Sequence, residues 1–165
     1  MAEHLGEGVY KLATAIKAFS IAKRDIYLSD SREVEYTLLY EGKATDVKSI
    51  YYHDIVVQYQ LMDGCFFVVL KNEHFEITNY AFYLLGKGLS TLDCVEQYQY
   101  YERDGFMTDK HFSEGIFSFK RSGNSKKYVL KIDRKGGFFY SISDFRGRSF
   151  FDFFRLRKYL LLTEV

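Results

Sequence analysis

A chain of 165 residues with no Pro, no Trp and a 19% aromatic share made up wholly of Phe and Tyr is narrowly constrained. Phe and Tyr favour strands, and a chain without Pro lacks the commonest rigid break between them, so a sheet-rich core with short connections is expected; compositional drift alone would also leave a chain without Pro. Hydrophobic residues at 47% and charged residues at 27% place the chain with globular proteins. The longest apolar stretches, Cys65 to Leu70 and Phe150, Phe151, Phe153 and Phe154 around Asp152, are far too short to span a bilayer as a helix. A soluble protein is expected, with no membrane partner. Met1 to Gly8 carries two Glu and no basic-plus-apolar signal pattern, so secretion is not expected. Cys65 and Cys94, the only cysteines, lie in no zinc-like spacing, which predicts reduced thiols inside a cell.

The net charge of +1 conceals a division. Residues 1–108 hold 10 Lys/Arg against 16 Asp/Glu, a net of −6, while residues 109–165 hold 13 against 6, a net of +7. The C-terminal part is the one that would seek anions: nucleic acid, a phosphopeptide or an acidic membrane, if it is more than a solvated face.

Periodicity gives the expected elements. Leu5, Val9, Leu12, Ile16 and Phe19 fall on one helical stripe and predict a helix over residues 5–23. Strands are expected at Asp25 to Ser29, Glu35 to Glu41 and Ser49 to Gln58, with Gly42 to Lys48 as a turn, and at Cys65 to Leu70. Ile77, Tyr80, Ala81, Leu84 and Leu85 return to helical spacing until Gly86 and Gly88. A further helix, capped by Ser90 or Thr91, would bury Leu92, Val95 and Tyr98 or Gln99 and end at Gly105. Strands at Gly115 to Arg121, Lys127 to Asp133 and Gly137 to Phe145 follow, turned at Ser122 to Ser125 and at Arg134 to Gly136, and a helix from Ser149 closes the chain. The expected fold is therefore α+β: two small units, residues 1–88 and 89–165, each a central antiparallel sheet flanked by helices, sharing an interface because neither buries much core alone.

Catalysis is not expected. No phosphate loop, His-Glu-x-x-His motif, nucleophile elbow or paired-Cys metal site occurs, and His4, His53, His74 and His111 are scattered. Neither a cofactor nor a metal site is expected. The tyrosines of Tyr98 to Tyr101 could stack on bases, but helical spacing makes them packing residues.

The segments Gly115 to Ser122, Lys127 to Ile132 and Phe138 to Ile142 together resemble the central sheet of a Src-homology-2 domain. Read as two such units, the chain resembles the tandem Src-homology-2 module of the suppressor-of-Ty-six family of transcription elongation factors and histone chaperones. Arg24 to Ser31 resembles that family's phosphate-binding strand, Glu35 to Tyr40 the next, and Ile50 to His53 the strand carrying a histidine; Val68 to Phe75 and Gly137 to Tyr140 continue the likeness. The resemblance implies a nuclear, monomeric phosphopeptide-binding module. It would dock a larger elongation factor, whose other parts are also partners, onto the linker or C-terminal tail of the phosphorylated RNA polymerase II largest subunit. It also implies a first phosphate site at Arg24, Ser29, Ser31, Arg32 and His53, and a second anion site at Lys120, Arg121, Lys126, Lys127 and Lys158, near Arg155 and Arg157. The sequence departs from the family where a buried arginine would hold phosphate. Leu28 or Ser29 stands there, leaving Arg24 or Arg32 as the nearest guanidinium. Arginine matters at such a position because its planar fork bonds phosphate twice. A phosphate-independent protein scaffold and a nucleic-acid binder using the basic half are the alternative readings; a bacterial secretion chaperone would be acidic and lack the charge split.

Overall fold

A computed structural model describes residues 13–28, 31–74, 77–97, 105–123, 126–137, 148 and 157–165. Its elements are β1 (Ala13–Ala15), β2 (Phe19–Leu28), β3 (Ser31–Tyr40), β4 (Lys43–Ser49), β5 (Asp54–Leu61), β6 (Phe66–His74), β7 (Ile77–Leu85), β8 (Thr91–Gln97), β9 (Met107–Ser113), β10 (Ile116–Arg121), β11 (Lys127–Gly137) and β12 (Lys158–Glu164). Three antiparallel sheets result, in the orders β2-β3-β4, β1-β5-β6-β7-β8 and β12-β11-β10-β9.

The expected α+β class is overturned: the architecture is all-β, with no helix among the described residues. Each expected helix fails for a physical reason. The middle sheet is buried on both faces, so β7 is apolar at nearly every position and carries no period of two. Tyr80, Phe82 and Leu84 enter one core, while Ala81, Tyr83 and Leu85 enter the other. A continuous apolar run of this kind fits a helix stripe as well as a two-faced strand. The Leu92–Val95 stripe is strand β8, whose buried residues alternate as Asp93, Val95 and Gln97. The described part of the first expected helix holds β1 and the first half of β2, and Leu160 and Leu161 of the closing helix lie in β12. Residues 5–12, 98–104 and 149–156 of these elements fall outside the described residues.

The two cores make the middle sheet the filling of a three-layer sandwich. On one side Phe67, Phe82 and Val95 pack against Phe117, Phe119, Leu130 and Leu160 of the β9–β12 sheet. On the other side Phe66, Val68, Leu70 and Leu85 pack against Phe19, Leu38 and Val47 of the β2–β4 layer and Tyr52 of the β4–β5 loop. Each such side chain contributes about 1.5–3 kcal/mol when fully buried.

Turns close the hairpins where the backbone demands them. Glu41 and Gly42 both take positive φ, 48° and 80°, between β3 and β4; Glu114 and Gly115, at 50° and 74°, do the same between β9 and β10. Two successive positive φ values define the hairpin turn whose twist matches that of the strands it joins. The expected turn at residues 42–48 is thus shortened to two residues, and β4 occupies the rest. The expected turn at Arg134–Gly136 lies within β11, whereas β10 and β11 do pair antiparallel on either side of the expected turn at 122–125, of which residues 124 and 125 lie outside the described residues. Strands β7 and β8, on either side of residues 88 and 89, are neighbours in one sheet.

One part of the fold leaves the sandwich. The β2–β3 pairing runs from Phe19↔Tyr40 to Leu28↔Ser31, but β4 accompanies it only as far as Tyr36↔Ser49. The five pairs from Arg24↔Glu35 to Leu28↔Ser31 therefore form a two-stranded ribbon about 17 Å long, at roughly 3.4 Å per residue.

Candidate interaction surface

Strand alternation separates the residues of the first expected phosphate site. Tyr27, Asp25 and Lys23 share one face of the ribbon with Arg32, Val34 and Tyr36, their cross-strand partners, whereas Arg24 lies on the other face beside Glu35. Arg24 and Arg32 thus cannot converge on one phosphate. Arg32 is already engaged, its Nη2 donating to Asp25 Oδ2 at 2.6 Å with both side chains exposed. This bond is the main cause that holds the Asp25 carboxyl below its ordinary value and raises the Arg32 guanidinium. Ser31 opens β3 opposite Leu28, on the Arg24 face, and Ser29 lies outside the described residues. His53 sits in the β4–β5 loop with its ring 5.7 Å from that of Tyr36. Tyr36 stands four residues along β3 from Arg32, a backbone distance of roughly 13 Å.

The second expected site is dispersed as well. Lys120 is exposed and paired with Asp109 at 3.0 Å, and Lys126 is paired with Glu164 at 3.2 Å. Lys127 is exposed at the start of β11. Arg121, one residue from Lys120, points inward and is only 1% exposed. Its guanidinium carbon lies 5.0 Å from the centre of the Tyr80 ring, and its Nη2 donates to the Thr78 carbonyl, tying β10 to the middle sheet. Lys158 is buried too, on strand β12 instead of on the expected helix. Arg157 is exposed just before it, and Arg155 lies outside the described residues.

Other clusters serve the architecture. Asp93, 1% exposed, accepts from Arg148 Nη1 and Nη2 at 2.6 and 2.9 Å and from the main-chain N–H groups of Cys94, Tyr159 and Leu160 at 2.7–2.8 Å. Arg148 also donates to the Leu160 carbonyl. This carboxylate joins β8 to the first residues of β12, and no sequence pattern pairs it with an arginine 55 residues away. At the end of the sandwich a cavity of about 100 Å³ is lined by Leu61, Phe112, Glu114, Gly115, Ile132 and Arg134. It is well below the roughly 300 Å³ at which small-molecule pockets begin. Arg134 at its wall pairs with Asp63 at 2.5 Å. No group of three or more metal-ligating side chains occurs among the described residues.

What remains is an edge. Among the described residues no strand pairs with the outer side of β2. At its base Glu41 N donates to Ala18 O, so the alternation of antiparallel bonding turns the main-chain groups of residues 20, 22, 24 and 26 toward β3. Those of Phe19, Ile21, Lys23, Asp25 and Tyr27 turn outward. Phe19 confirms the phase: its N–H donates to Gln58 Oε1 at 2.7 Å and its carbonyl accepts from Gln58 Nε2 at 3.3 Å, a side-chain amide standing where a strand would pair. Beyond it Lys23, Arg24 and Asp25 are exposed, and Tyr27 is 76% exposed. The helical spacing of residues 5–19 hides this edge in the sequence, and the charged run Lys23, Arg24, Asp25 interrupts the apolar–polar alternation that would mark a strand. No family model, no curated protein and no solved structure matches the chain.

Proposed function

We propose that the chain is a non-enzymatic docking module that takes an extended partner segment on the outer edge of β2, independently of phosphate. The observation that carries this reading is the ten-residue edge strand, half of it projecting in the β2–β3 ribbon, with outward main-chain donors and acceptors. An added strand satisfies such groups directly, while alternate side chains select the sequence. The dispersion of both cation sets favours this reading over phosphopeptide capture, which needs donors converging on one anion. It also favours it over a nucleic-acid groove, which needs unpaired cations along a track. Docking onto phosphorylated RNA polymerase II rests on the family resemblance alone.

The test is selection of binders from a displayed library of decapeptides, each binder then synthesised with and without phosphate alongside the polymerase-linker peptide. Expected are binders indifferent to phosphate that slow amide exchange at Ile21, Lys23, Asp25 and Tyr27. Binding restricted to phosphorylated peptides, or protection centred on Lys120 to Lys127 instead of β2, would overturn the reading.

A further inference from the structure

The residues of β2 complement one another about Arg24. Around Arg24 stand Lys23 and Asp25, then Ala22 and Ile26, then Ile21 and Tyr27. We infer that the occupant of the β2 edge is a second copy of this chain, its β2 lying antiparallel across a two-fold axis at Arg24. This rests on the reading of β2 as a docking edge and names what docks there.

The register follows from pairing rules. An antiparallel partner must bond outward residue to outward residue, so Ile21, Lys23, Asp25 and Tyr27 can meet only one another. With the axis at Arg24, Lys23 faces the partner's Asp25 and Asp25 faces the partner's Lys23, while Ile21 faces the partner's Tyr27. Each of these pairs exchanges main-chain bonds. On the opposite face Ala22 meets the partner's Ile26. The two Arg24 side chains meet at the axis, each beside its own Glu35, which gives the ladder Glu-Arg-Arg-Glu. The neighbouring allowed registers do worse. An axis at Lys23 sets Lys against Lys and Ile21 against the partner's Asp25, and an axis at Asp25 sets Asp against Asp and Lys23 against the partner's Tyr27. Like charges directly opposite are destabilising, and apolar pairs are favourable. The register centred on Arg24 sets Lys against Asp twice and Ile against Tyr twice, and its one like pair, Arg24 with the partner's Arg24, has a Glu35 of β3 opposite each arginine, so it is the most self-complementary of the three, as an isologous interface requires. It would join the β2–β3–β4 layers of two copies into one sheet of six strands.

The experiment is sedimentation of the full chain over a wide concentration range, with charge reversals. Wild type is expected to show a mass of twice 19.5 kDa. Lys23→Asp and Asp25→Lys should each weaken self-association roughly tenfold or more, since each turns two opposite pairs into two like pairs. An equimolar mixture of the two variants should recover the dimer, because one chain then presents two acids and the other two lysines. Under oxidation Arg24→Cys should cross-link to itself, whereas Lys23→Cys, Asp25→Cys and wild type should not.

A chain monomeric at every concentration would overturn the inference. So would a dimer indifferent to both reversals, or one that cross-links through Lys23→Cys instead of Arg24→Cys. A monomer whose β2 amides are still protected by selected decapeptides leaves the docking edge standing with another occupant. A monomer with no such protection brings down the docking reading as well.

Discussion

Two carboxylate–arginine pairs in this molecule have the same 2.6 Å contact and opposite meaning. The Asp93 and Arg148 side chains are each 1% exposed, whereas those of Asp25 and Arg32 are 42% and 64% exposed. Around the first pair water is gone, and the Asp93 oxygens also take three main-chain N–H groups from β8 and β12. Around the second, water can replace either partner at almost no loss. The value of an ion pair therefore lies less in its length than in what its removal strands.

Arg148→Met puts that difference to its hardest test. It leaves a buried carboxylate without its counter-charge, and a loss of about 3–5 kcal/mol is expected from the midpoint of urea unfolding. Replacing both members by apolar residues often rescues such a site. Here Asp93→Leu/Arg148→Met should fail to rescue, because the N–H groups of Cys94, Tyr159 and Leu160 lose their acceptor, at about 1–3 kcal/mol for each one left buried and unpaired. Recovery to wild-type stability would mean that the carboxylate's main-chain bonds carry little.

The same contrast between interior and surface appears in alkaline solution. Burial, with Cys94 beside the ring as a lesser cause, pushes the Tyr83 phenol far above its ordinary value; burial also raises Tyr80, against the N–H of Met107 that its oxygen accepts. A raised phenol pKa means that the unfolded chain loses those protons first. The stabilisation is full below the unfolded value of about 10 and is lost as pH rises past it toward the folded values. Circular dichroism should thus fall in one step with the phenolate absorbance of the buried tyrosines above pH 10. Ionisation of every tyrosine in a folded chain would contradict the burial of Tyr80 and Tyr83.

The sequence revealed those parts of the fold in which one face is wet. Tyr36, Leu38 and Tyr40 alternate because β3 has a core face and an outer face, and the β10–β11 hairpin is legible for the same reason. It misled where both faces are dry: in β7, covered above and below, every position from Tyr80 to Leu85 is apolar and helical spacing can be picked out by chance. Strand β9 offered no signal, since Thr108 to His111 of this bulged edge are all exposed and polar. For the candidate site, the residue types were visible and their grouping was not. A cation's company is set by strand parity, which sends Arg24 and Arg32 to opposite faces and buries Arg121 one residue from exposed Lys120. Only a correct strand assignment over residues 19–28 would have supplied that parity.

The smallest effect is expected at the exposed pair, and it completes the comparison. The bond from Arg32 holds the Asp25 carboxyl below its ordinary value, so whatever stability it contributes is present above the unfolded value of about 3.9 and is lost as pH falls through the lower folded value. Both groups are fully solvated, and screening reduces that contribution to experimental error. At a concentration where the chain is monomeric, Asp25→Asn should leave both the urea midpoint at neutral pH and the acid transition unchanged. The variant becomes informative as concentration rises. If β2 pairs with its copy, Asp25 is then covered by the partner's Lys23, and Asp25→Asn should begin to lower the midpoint as the wild type dimerises. A difference already present in dilute monomer would mean that Asp25 is shielded within its own chain.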